Sequence, residues 1–206
     1  MLGRLSFFRV RQIELVGVRY LAPDAVITAL RLPAGASVFT DARLLADRVK
    51  GLNGVLDASV ARRLPGTLKV TVTEVEPAAF VASGGTLVAV DGAGRPLPFD
   101  PERTGLDLPV AATPDAGLVG VLALVQSVDP ALFQTITGAR SVARGDVSLE
   151  LASQRVLLRR DAGPGVVRAI ALVRQDLAAK GRAYVELDAR FAEQVVVRRR
   201  AEGGKT

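Results

Sequence analysis

The chain has 206 residues, 49% of them apolar, with 27 Lys and Arg against 21 Asp and Glu and neither Cys nor His. That apolar content supports a packed core, in one domain or two small ones. The missing residue types exclude thiol nucleophiles, Ser-His-Asp triads, histidine-liganded metals and disulfides, and leave only carboxylate, hydroxyl, Lys or Arg chemistry.

The net charge of +6 would suit an anionic partner. Against nucleic acid stands an aromatic content of only 4%, which gives bases little to stack on. The cations also fall in scattered pairs (Arg62-Arg63, Arg159-Arg160, Arg198 to Arg200) at the ends of expected strands. No nucleic-acid partner is expected. The longest apolar run, "GLVGVLALV" at 117–125, is far below the ~20 residues of a spanning helix. "MLGRLSFF" offers no stretch long enough for a secretory signal, so the chain is expected to be soluble as it stands.

"FFRVRQIELVGV" (7–18) is rich in aromatic and β-branched residues and reads as a strand with a turn at Gly17. "LAPDAVITALRL" (21–32) reads as a short helix with Pro23 in its first turn and Val26, Ala29 and Leu30 facing inward. "TDARLLADRVKGL" (40–52) is a second helix, capped by Thr40 or Asp41, with Leu44, Leu45 and Val49 on one face. "GVLDASVARRL" (54–64) is a strand centred on Val60, and Pro65-Gly66 turns the chain into "TLKVTVTE". There Leu68, Val70 and Val72 alternate with Lys69, Thr71 and Thr73, so one face is buried and the other wet. The expected order is β-α-α-β-β.

That order, and above all "GVLDASVARRLPGTLKVTVTEVEPAAF", resembles a POTRA domain of the kind found in the bacterial division proteins FtsQ and DivIB. The matching stretches, with "FFRVRQIELVG" and "ASVFTDARLLADRV", run from Phe7 to Phe80. The resemblance implies an α+β protein: a POTRA domain over 7–76, then a mixed α/β "β domain" over 77–200 with an antiparallel-rich sheet, then a disordered tail over 201–206. It places "EVEP" at the hinge between the domains and the strand over 67–74 at the close of the POTRA sheet.

The second half reads in the same sense. "AFVASGGTLVAVDGAGRPL" (79–97) is a hairpin pair turning at Gly84-Gly85 and at Asp91 to Gly94. "DAGLVGVLALVQSV" and "PALFQTI" are helical, and "ARSVARGDVSLELASQRVLLRR" (139–160) is strands, with "SQ" at a hairpin tip. "GPGVVRAIALVRQDLAAKG" (163–181) is a helix whose inner face is Val166, Ile170, Val173 and Leu177. "RAYVELDARFAEQVVVRRR" (182–200) gives two closing strands, and Asp188, Arg190 and Phe191 resemble the "D-x-R-aromatic" hairpin that ends the FtsQ β domain.

No catalytic motif stands. "GGKT" at 203–206 has Arg199 where a phosphate loop needs its first Gly. "DGAGRP" lacks the further acidic or Gly positions of a calcium or dinucleotide loop. Glu74 and Glu76 read as solvated residues leaving the sheet, and no Ser has a G-x-S-x-G setting. No enzyme activity, metal or cofactor is expected. The last strand reads two ways: an edge guarded by its Arg residues, or a docking edge for another chain's strand.

The resemblance favours docking and implies a non-enzymatic scaffold that holds FtsB-like and FtsL-like chains outside the cytoplasmic membrane and helps control septal wall synthesis. It implies periplasmic placement, single-pass in full-length form, through an N-terminal membrane helix that this sequence does not contain. The residues expected to bind the partner are Tyr184, Asp188, Arg190, Phe191, Val195, Val196, Val197 and Arg198, with Tyr184 and Phe191 as apolar anchors and Arg190 or Arg198 on partner carboxylates. The rival reading is a POTRA-bearing transport or outer-membrane assembly factor, which would show several POTRA repeats or a barrel of strands. A carboxylate-dependent wall hydrolase is the enzymatic alternative.

Overall fold

The computed structural model describes residues 6–191 and 194–199, which form two compact units. The first takes the chain to Glu76 and again over Leu97–Gly105; the second takes Pro77–Pro96 and everything from Leu106. The expected tail over 201–206 lies outside the described residues.

The first unit runs β1 (Gln12–Val16), α1 (Pro23–Ala29), α2 (Ala42–Lys50), β2 (Val55–Arg63) and β3 (Thr67–Glu74), the expected order. The Asp41 carboxylate caps α2 by accepting from the Arg43 N–H at 2.9 Å. The sheet order is β1-β3-β2, with β3 parallel to β1 and antiparallel to β2. The strand expected to close the sheet is therefore its centre. That position explains the strict alternation, because a strand paired on both sides has one face left for the helices and one for water. Leu68, Val70 and Val72 are buried with Val26, Leu30, Leu45 and Val49, whereas Val60 on β2 is only half-buried rather than a core residue. Gly17 has φ +84°, and a Cβ there would stand 2.1 Å from the Val72 carbonyl oxygen, so the turn after β1 admits only glycine.

Residues 97–105, expected in the second domain, pack with the first. Phe99 is buried, its ring 5.2 Å from that of Tyr20 and against Gly54, and the short helix α3 (Pro101–Thr104) brings Arg103 onto the Tyr20 carbonyl. Nothing periodic marks this segment in the sequence.

The second unit holds an eight-stranded sheet. Its strands are β4 (Ala79–Ser83), β5 (Thr86–Val90), β6 (Val110–Ala111), β7 (Ile136–Ser141), β8 (Val147–Leu151), β9 (Gln154–Leu158), β10 (Glu186–Phe191) and β11 (Gln194–Arg198). The spatial order is β11-β10-β9-β8-β7-β6-β4-β5. Gly84 and Gly85 take φ +58° and +85° in the two-residue turn between β4 and β5. Helices α4 (Ala116–Val128) and α5 (Pro130–Phe133) connect β6 to β7, and α6 (Pro164–Ala179) connects β9 to β10. Both crossovers join parallel neighbours and step the same way across the sheet. Right-handed crossovers therefore place α4 and α6 on one face, where they touch each other. Beneath them lies one core containing Leu118, Leu122, Leu149, Leu158, Ile170 and Leu187.

Three readings shift in this unit. "QTI" leaves the helix, since α5 ends at Phe133 and Ile136 opens β7. The β8–β9 tip is Ala152-Ser153, with Gln154 already in the ladder. The buried face of α6 includes Val167 with Ile170 and Leu177, while Val166 and Val173 are half-buried. Among the described residues no helix is long and apolar enough to cross a membrane, and no group of three or more His, Cys, Asp or Glu is placed to hold a metal ion.

Candidate docking edge

β11 is the end strand of the eight-stranded sheet: β10 pairs its inner side, and no described strand pairs its outer side. Its five residues alternate. Val195 and Val197 are half-buried against the core under α6, while Gln194, Val196 and Arg198 face outward. An edge strand presents alternate N–H and C=O groups to whatever lies alongside, a ready template for one more strand.

The face away from the helices carries charge where charge is unusual. Glu186 and Asp188 on β10 are almost wholly buried, Asp188 at 0% exposure. Glu186 is opposite Arg155 of β9 and Arg198 of β11 in the ladder. Arg155 donates to Glu186 Oε2, and Arg198 Nε stands 3.1 Å from Oε1 as an ion pair, outside hydrogen-bond geometry. One buried carboxylate is thus clasped by guanidinium groups from both neighbouring strands, which ties β11 into the sheet without closing its outer side. Two residues on, Arg190 donates to both Asp188 oxygens at 2.8 and 2.6 Å and to Asp146 Oδ2 at 3.2 Å. The Arg190 hydrogen bonds hold the Asp188 carboxyl below the usual carboxylate range despite its burial, and Arg190 itself is raised.

This geometry sorts the residues expected to bind a partner. Tyr184 is buried ahead of β10, its hydroxyl accepting from Arg174 Nε at 3.3 Å, so it is core and not an exposed anchor. Asp188, Val195 and Val197 support the strand from within. Arg190 and Arg198 already hold carboxylates of this chain, so neither is a free cation for a partner. Phe191 and Val196 remain as outward apolar groups, 53% and 39% exposed. The sequence reading missed Glu186; an acidic residue in phase with Asp188 and Arg190 on one face of the strand was its one signal. Beside Phe191 a cavity of about 500 Å³ is lined by Ala143, Arg144, Asp146, Arg159 and Arg190.

Comparison with known proteins matches residues 8–74 to the model of the POTRA domain, FtsQ-type. Cell division protein FtsQ of Rhodothermus marinus is 30% identical over an alignment covering 96% of this chain and 80% of that protein. The chain belongs to the FtsQ family. FtsQ of Mycobacteroides abscessus is 29% identical over 76% of this chain, and FtsQ of Zymomonas mobilis 28% over the same share. These alignments span about half of the two relatives, 53% and 50% of their lengths. The matched POTRA region lies within the first unit, and the candidate edge lies in the part of the chain that follows it.

Proposed function

We propose that this chain is a non-enzymatic scaffold of cell division whose β11 edge receives an extended segment of an FtsB-like chain, itself paired with an FtsL-like one, outside the cytoplasmic membrane. The observation that carries this reading is the position of β11, with no described strand on its outer side yet fastened inside by Val195, Val197 and the Arg198–Glu186 pair. A strand held this firmly needs no rearrangement to accept a partner, so little ordering free energy opposes docking. Main-chain bonds supply attraction along the edge, and Phe191 and Val196 supply side-chain contacts that choose the partner. Membership of the FtsQ family supports cell division as the setting.

The test is capture of purified FtsB–FtsL extracytoplasmic segments by the chain and two variants. Val196→Asp places a carboxylate on the outward face beside Asp188, its register partner; it is expected to fold and to lose capture. Phe191→Ala is expected to weaken binding by about 1 to 3 kcal/mol. Undiminished binding by both folded variants would move the recognition surface off this edge.

A further inference from the structure

At one end of the first unit three stretches of chain converge. Residues 8–10 run antiparallel to 36–38, with Val38 N–H on the Phe8 carbonyl at 2.9 Å and Val10 N–H on that of Ala36 at 2.8 Å. Arg11 N–H donates to the Gly66 carbonyl at 2.8 Å, which brings in the β2–β3 turn. The side chains gathered here are apolar at the tip. Phe8 lies between Phe7 and Phe39, with ring centroids 5.4 and 5.3 Å apart, and Leu64 stands in the turn. Phe7 is 58% and Leu64 62% exposed, and Phe39 is exposed as well. The core beneath is already closed by Val38 and Leu68, so these tips are not part of it.

Around them cations outnumber carboxylates. Arg62 is held by neutral carbonyls, donating to Val38 at 2.9 Å and Thr40 at 3.2 Å, and keeps its charge uncompensated. Arg11 lies 5.6 Å over the Phe7 ring and donates to the Phe7 carbonyl. Arg9 has no acidic partner among the described residues. Among the described residues Arg63 is the one of these cations that is ion-paired, with Glu14 at 3.1 Å, and Asp41, the cap of α2, is the other carboxylate nearby.

We propose that this end of the first unit docks onto an anionic lipid surface. Exposed Phe and Leu side chains enter the boundary between headgroups and acyl chains, and guanidinium groups meet the lipid phosphates around them. Charge complementarity selects this occupant. A second copy would set Arg9, Arg11 and Arg62 against their like. A polyanion in water would take the cations and leave the apolar tips wet.

The test is flotation of the chain with phosphatidylglycerol/phosphatidylcholine vesicles and with pure phosphatidylcholine vesicles. Binding is expected only to the anionic vesicles and is expected to fall as salt rises. Arg9→Gln and Arg11→Gln should each weaken it about fivefold, and Phe7→Ser with Phe39→Ser should abolish it in protein with an unchanged melting profile. Val196→Asp, on the other unit, should bind vesicles normally, so this result and the capture experiment fail independently. Absence of binding, equal binding to uncharged vesicles, or binding indifferent to both sets of variants would overturn the proposal. So would a dimer in sedimentation equilibrium that Phe39→Ser dissociates without any vesicle binding, since the patch would then be an interface between copies.

Discussion

Glu74 ties the loop after β1 to the end of β3. Its carboxylate accepts from the backbone N–H groups of Arg19 and Tyr20 at 2.9 Å each and of Leu21 at 2.8 Å. It is a structural clamp and not a solvated residue leaving the sheet. Glu74→Ala would orphan three donors beside buried Tyr20 and Leu21, and is expected to cost about 2 to 3 kcal/mol in chemical denaturation; Glu74→Gln, which keeps an acceptor oxygen, should cost less. Asp188 makes a different prediction. In the unfolded chain it titrates near about pH 3.9, and in the fold the Arg190 bonds lower it. Between those values the unfolded chain holds the proton and the folded one does not, so stability rises with pH there. The contribution is whole above the unfolded value and drains away as pH falls through the lowered one. Asp188→Asn should lower stability by about 2 kcal/mol near neutral pH and flatten the loss of melting temperature below about pH 3.9.

Among the elements, β3 and β11 show how position in a sheet sets what an apolar residue does. β3 is paired on both sides, and its apolar face lies under the helices of its unit. Val70→Asp puts an unpaired carboxylate at the middle of that face. It should cost about 3 kcal/mol or more in thermal or denaturant unfolding, and an unchanged midpoint would contradict the packing described. β11, "QVVVR", does not alternate in sequence but does in burial: Val195 and Val197 pack against the core, Val196 lies on the opposite face, and only the β10 side of the strand is paired. Three consecutive valines thus divide between core and surface.

For the whole molecule, the chain passes from one unit to the other three times, after Glu76, after Pro96 and after Gly105. The first unit is therefore completed by a segment that arrives only after two strands of the second have been laid down. A fragment covering 7–76 lacks Phe99 and Arg103, which cover Tyr20 and Gly54. It is expected to melt below the first unit of the whole chain. Phe99→Ala should reproduce much of that loss, about 3 kcal/mol, read by hydrogen exchange at the Tyr20 and Leu21 amides. Equal stability of fragment and whole chain would show that 97–105 adds nothing.

Local periodicity carried the β-α-α-β-β order, the buried face of β3 and the long helix over 164–179, because a strand period of two and a helix period near 3.6 are properties of consecutive residues. The apolar closing strand was legible for the same reason. Its place as the last element already pointed to an edge; which strands stand inside it was decided by two same-handed crossovers that no single segment encodes. The sorting of the residues expected to bind a partner also belongs to the tertiary structure: Asp188 and Arg190 are near neighbours in sequence, but their link to Asp146 joins them to a residue far away in the chain. The strap over 97–105 and the two-residue strand β6 escaped the sequence because neither is long enough to show a period. What holds them is the surface they meet, Tyr20 and Gly54 for Phe99, and β4 and β7 for Val110 and Ala111.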